Sequence, residues 1–366
     1  DRLTEVSRAS ISAPGLEALG SVNLAADGSL QRVIVDRLIS GRTDASAIVT
    51  AMPQAGWDIS VGGNGLDLHP FMQLEETGGA APTIGEGRAG ALDSFTFSAD
   101  LDRLWLEPEA PIRAVTATVV REKGVVELAQ VAGSLGRDPI SVEIAPTGAS
   151  ARTLRIRAED AGEALRALGI FSDINGGRLT VNGTFDDSSQ GGGALAGTLK
   201  IRGFRLIRAP IIAQILNVMA LTGILDVLRG GGISFTALDA PFALHDDVLY
   251  LNDARMHGNA IGVTAAGSYN LERDLLDLRG TLVPFYVVNS LLGNLPLIGG
   301  LFSGGERGGG LFAASFSVRG TMAEPDISVN PVSVLAPGML RNLFRIFDTS
   351  PADEEPLSPT RRRATP

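Results

Sequence analysis

Apolar and polar residues alternate with period two along much of the chain. In 94–102, Phe95, Phe97, Ala99 and Leu101 alternate with Ser94, Thr96, Ser98, Asp100 and Asp102. The pattern recurs in 153–158 (Leu154, Ile156, Ala158), 178–185 (Leu179, Val181, Phe185), 276–282 (Leu276, Leu278, Leu282) and 312–319 (Phe312, Ala314, Phe316, Val318). Such alternation predicts strands with one dry face and one wet face. Turn chemistry separates the runs: Asp27-Gly28, Gly62 to Gly65, Glu122-Lys123-Gly124, Asp138-Pro139, Asn175-Gly176-Gly177, Gly258-Asn259 and Asn270 to Asp274. Links this short predict antiparallel hairpins, because a parallel crossover needs about a dozen residues or more. The template accommodates roughly sixteen strands. In one sheet, at about 4.8 Å per strand, they would extend roughly 75 Å.

The phase slips in two places. Leu199 and Ile201 face one way, Gly203 intervenes, and Phe204 and Leu206 resume the apolar face. A second slip lies between Leu101 and Leu104. An extra residue that shifts phase is the signature of a bulge, and bulges bend and twist a sheet, so the sheet is expected to curl.

Helical patterns are few and fall late. Asp160 to Leu168 reads as a short helix. Pro210 opens a long apolar stretch, Ile211 to Leu228, whose Gln214, Asn217, Thr222 and Asp226 interrupt it. That falls short of the ~20 clean apolar residues of a membrane span and predicts a capping or interfacial helix. Phe285 to Phe302 is a second stretch, broken at Gly293, Pro296 and Gly299-Gly300. Pro337 to Phe347 carries Leu340, Leu343, Phe344 and Phe347 at helical spacing, opposite Arg341, Asn342 and Arg345. Residues 349–366 turn to Pro, Ser, Glu and Arg and are expected to form a disordered tail.

Composition narrows the function. Hydrophobic residues make up 44% of 366, ample for a large core, and no Cys is present. Thiolate catalysis, Fe–S clusters and Cys-ligated zinc are thereby excluded. A net charge of −10 argues against nucleic-acid binding, which needs a basic stripe. The chain opens at Asp1 and is expected to be a piece of a longer or processed protein.

Catalytic motifs are absent. His69, His245 and His257 have no second His at metal-ligand spacing. His245-Asp246-Asp247 reads as a hairpin turn. Gly85 to Gly90 matches GxGxxG, but the residues after it, Phe95 to Leu101, read as a strand and not a helix, so the dinucleotide context is missing. Gly304 to Gly310 lacks Gly-Lys-Ser/Thr. Asp100 and Asp102 fall on a wet face. No enzyme, metal or cofactor is expected.

A long one-faced sheet poses a physical problem: its apolar face must be covered. It can close into a sandwich or barrel. It can be covered by helices, which are few here. It can also stay half closed and hold apolar ligand such as acyl chains. Periodicity alone leaves these open.

Specific segments then bear on the choice. The run Leu282-Val283-Pro284-Phe285-Tyr286-Val287-Val288-Asn289-Ser290-Leu291-Leu292-Gly293-Asn294-Leu295-Pro296-Leu297-Ile298-Gly299-Gly300-Leu301 resembles the C-terminal region of AsmA-like proteins, in particular the YhdP-type branch. So do Val329-Asn330-Pro331 to Leu340-Arg341, Asp160-Ala161-Gly162 to Leu179, and Gly258 to Gly262. The resemblance covers about 155 to 348; residues 1–155 are similar in style only, as an amphipathic sheet segment. It divides the chain into 1–155, 156–348 and the tail. It implies a mainly β fold, with a long curled antiparallel sheet enclosing an open, taco-like groove and a few amphipathic helices near the C-terminus. It also implies a periplasmic protein anchored to the inner membrane through an N-terminal segment outside this chain. Its implied role is moving phospholipid toward the outer membrane, in the manner of bridge-like lipid-transfer proteins.

Joined to the pattern, this makes Leu199, Ile201, Leu249, Leu251, Ile261, Val263, Leu276, Leu278, Phe316 and Val318 the candidate groove wall, with plain core packing as the alternative for each. The stripe Leu340, Leu343, Phe344 and Phe347 fits docking on a membrane surface or envelope partner, with Arg341 and Arg345 near phosphates. Plugging the sheet end is its alternative. The expected partners are phospholipids. The competing reading is a lipid-free structural or assembly scaffold of the envelope.

Overall fold

The computed structural model describes residues 5–53, 56–70, 93–148, 151–188, 193–218, 230–284, 314–322 and 324–330. Among them the chain is one open sheet of eighteen strands. The first five are β1 (Glu5–Ala13), β2 (Leu16–Leu24), β3 (Leu30–Ser40), β4 (Thr43–Met52) and β5 (Gly56–Asp67). Then come β6 (Phe95–Trp105), β7 (Ile112–Glu122), β8 (Val125–Leu135), β9 (Asp138–Pro146) and β10 (Ala151–Ala158). The helix α1 (Ala161–Ala167) precedes β11 (Ile174–Asp186) and β12 (Ala194–Leu206), and α2 (Pro210–Val218) follows. The sheet ends with β13 (Ile233–His245), β14 (Val248–Gly258), β15 (Ile261–Asn270), β16 (Leu275–Pro284), β17 (Ala314–Gly320) and β18 (Pro325–Asn330). The expected apolar stretch 285–302, the helix with Leu340, Arg341, Leu343, Phe344, Arg345 and Phe347, the tail and both glycine-rich motifs lie outside the described residues.

Each strand pairs with its neighbour in sequence, from β1–β2 to β17–β18. One pair departs from the antiparallel expectation: β5 and β6 run parallel, with Ile59 opposite Phe97. Residues 68–94 separate them, enough chain for the crossover that a parallel pair demands. The 155/156 boundary falls inside β10, which pairs with both β9 and β11.

The two phase slips differ from single-strand bulges. Ile201 pairs with Leu238 and Phe204 with Phe235, so both strands carry two residues between the same pairs. The register is kept and the faces reset together. Gly203 sits at φ +65°, where a side chain is disfavoured. The same happens between Leu101 and Leu104, opposite Val115 and Ile112, with Ala114 at φ +49°. Apolar side chains therefore stay on one face through both slips.

The two ends of the strands differ. The two described helices connect strands at one end, marked by Ala158, Leu206 and Ile233; links of two to seven residues join the opposite ends of β7 to β16. In α1, Asp160 caps the helix by accepting from the Glu163 amide at 2.9 Å. Ala161, Ala164 and Ala167 are fully buried against the sheet. The helix α2 follows β12 yet packs against β18. Six strand steps separate these along the sheet, about 29 Å at 4.8 Å each. The helix spans only about 14 Å, so the C-terminal strands curl around it. Ile212, Ile215 and Leu216 of α2 join Ile201, Phe204, Leu282 and Ala314 in one buried cluster.

Candidate functional site

Residues directly opposite in a ladder project from the same face. Following the register across the sheet connects Val6, Val22, Val33, Val49, Ile59 and Phe97 in β1 to β6. It continues through Val119, Ala129, Ile144 and Leu154 in β7 to β10. It ends with Gly183, Gly197, Phe242, Leu251, Gly267, Leu278, Val318 and Ile327 in β11 to β18. No polar side chain interrupts this line. Seventeen strand steps make it about 80 Å long. Except for Ala129 and Val318, which are buried, every position is only partly covered. A second line, one pleat nearer the helix end, runs beside it through Val35, Ala47, Val61, Ala99, Ala117, Val131, Val142, Ile156, Val181 and Leu199.

Burial deepens toward the helix end. Leu101, Val115, Ala158, Leu179, Ile201 and Leu282 are each at most 3% exposed. The ten candidate wall residues all face inward, but they divide. Ile201, Ile261, Val263, Leu276, Phe316 and Val318 are buried. Leu199, Leu249, Leu251 and Leu278 are half-buried and remain accessible. The accessible surface extends through β1 to β9, where the sequence reading assigned no wall residue. The alternation Phe95, Phe97, Ala99, Leu101 was the available signal, since it places Phe97 on the dry face.

The outer face is polar and charge-paired. Arg155 meets Glu143 at 3.1 Å, and Arg202 grips Asp239 through two bonds of 2.7 Å. Such surface pairs contribute little to stability. Among the described residues, the inner face carries one buried ion pair at the hairpin end. Arg152, 4% exposed, donates to both carboxylate oxygens of Asp187 at 2.8 and 2.6 Å. It also donates to the Val126 carbonyl, and its guanidinium lies 4.3 Å from the Phe185 ring centroid. The bond from Arg152 holds Asp187 below the usual carboxylate range, against the opposing effect of burial. The bond to Asp187 likewise raises Arg152.

Asp246 and Asp247 form the β13–β14 turn at φ +50° and +56°, as the sequence predicts. Burial pushes the His257 imidazole below its ordinary pKa, with Arg202 adding to the effect. Among the described residues, no three His, Asp or Glu side chains gather as a metal site. No described helix is long and apolar enough to cross a membrane. Comparison with protein-family models, curated proteins and solved structures finds no match.

Proposed function

We propose that this chain binds phospholipid by its acyl chains and passes it along the inner face of the sheet, as a segment of a periplasmic, AsmA-like lipid-transfer protein. The observation that carries this reading is the uninterrupted apolar line through all eighteen strands, left partly open along its length. A protein that needed this face only for its core would cover it. Burying a methylene is worth about 0.8 kcal/mol, so ten methylenes laid on the line gain on the order of 8 kcal/mol. Because the line is uniform, a chain can slide from one strand to the next without crossing a polar barrier. No covalent step is involved; a lipid gradient or a partner supplies the direction.

The test is mass spectrometry of an organic extract of the protein purified without detergent. Stoichiometric phospholipid supports the proposal. A lipid-free, monodisperse and stable protein overturns it and leaves the scaffold reading. That reading draws on β1, which is exposed along nearly its whole length and has no second neighbour among the described residues. An open strand edge of this kind can accept another strand.

A further inference from the structure

Arg121 is a cation on the apolar face whose side chain makes no ion pair or hydrogen bond among the described residues. It stands opposite Phe95 in one ladder and Val126 in the other, two residues along β7 from Val119 in the eighteen-strand line. Its Nε is buried and makes no hydrogen bond. None of the ion pairs among the described residues includes it. Its Nη2 lies 3.9 Å from where a Cβ on Gly124 would stand, which places the guanidinium at the β7–β8 turn, on the hairpin rim of the inner face. Arg152, the other inward-facing arginine at that rim, contrasts with it: Asp187 and the Val126 carbonyl satisfy that one. Glu127 acts on Arg152 electrostatically and makes no ion pair with Arg121.

A guanidinium stays charged in proteins, and a buried donor left without a partner is costly. Its planar fork fits a carboxylate or a phosphodiester. About 7 Å separates Arg121 from Val119 along the strand, so an amphiphile with its head on Arg121 has its chain on the apolar line from the outset. We infer that Arg121 is the head-group site of the groove and takes the single negative charge of an anionic lipid, a phosphodiester or a carboxylate. The inference rests on the lipid-binding proposal above and adds the charge of the cargo and where its head sits.

The experiment incubates the full chain with vesicles of equimolar phosphatidylglycerol and phosphatidylcholine, and separately with oleate, and counts the lipid retained after re-isolation. Phosphatidylcholine carries the same phosphodiester, but its choline cancels the charge, so the comparison reads net negative charge, and wild type is expected to favour phosphatidylglycerol by about tenfold. Arg121→Gln should lose that preference while its phosphatidylcholine uptake persists. Arg121→Lys should recover part of it. Arg155→Gln, on the outer face, serves as the control and should keep it. Removing an unpaired charge should not lower the melting temperature, which keeps the variant interpretable. Preferential retention of phosphatidylglycerol identifies a phosphodiester without a compensating cation, and retention of oleate without it identifies a carboxylate. Lipid bound without head-group preference, or a preference unchanged in Arg121→Gln, overturns the inference and leaves lipid binding standing. No lipid of any kind overturns both.

Discussion

Leu278→Asp probes the apolar line where its consequences are most separable. Leu278 sits between Gly267 and Val318 in the line and is half-buried. Full burial of a Leu is worth about 1.5–3 kcal/mol, so losing its partial burial costs about 1 kcal/mol. The new carboxylate keeps its water in the unloaded protein because the face is open there. An acyl chain laid across it would strip that water and leave an unpaired charge, at a cost of several kcal/mol. With about 1.4 kcal/mol per decade, a 4 kcal/mol penalty lowers occupancy by on the order of a thousandfold. Leu282→Asp, at a position 0% exposed, provides the contrast, since there the charge is buried in the protein itself and should prevent folding. The assay is lipid content by mass spectrometry, with far-UV circular dichroism to verify the sheet. A Leu278→Asp protein that stays β-rich and carries as much lipid as wild type refutes the reasoning.

Three further outcomes follow from the packing. Leu282→Ala should lose about 3–5 kcal/mol in urea denaturation, the upper part of the range for buried Leu, because its neighbours Val263 and Ala314 are held by ladders and cannot collapse into the cavity. Gly280→Val should destabilise strongly, as a Cβ there would stand 2.0 Å from the Thr264 carbonyl oxygen and 2.4 Å from the Phe316 ring; a thermal melt indistinguishable from wild type would contradict the packing. Asp187→Asn should cost about 3 kcal/mol by leaving Arg152 buried without its counter-charge. The folded-state pKa of Asp187 is depressed, so its contribution is present above the ordinary value of 3.8 and is lost as pH falls through the lower folded value. In denaturation at stepwise lower pH, Asp187→Asn should lack the part of the acid loss that falls in that window.

Much of the secondary structure was legible because its causes are local. Asp160 followed by Glu163 marks the start of α1, and the Asp246-Asp247 turn is a matter of two residues' backbone preferences. The parallel β5–β6 joint was not legible, since short-link reasoning speaks only to strands that are close in sequence. The candidate wall was read from residues 199 to 318 and so missed the open stretch through Ile59, Phe97 and Val119. It also could not separate Leu278 from Val318: both belong to the same alternating pattern, yet one is accessible and the other is 1% exposed.

By itself, the sequence determined that the chain is strand-built and which residues share a face, because side-chain direction in a strand repeats every two residues and depends on nothing distant. Only the tertiary structure decided that Val6 and Ile327 end one continuous line, because register is set between strands and not within them. It also decided which parts of that line are sealed. The helix α2 reaches β18 and covers the sheet where the C-terminal strands curl around it. Arg121 has no ion-pair partner among the described residues for the same kind of reason: whether a carboxylate stands nearby depends on strands far from it in sequence.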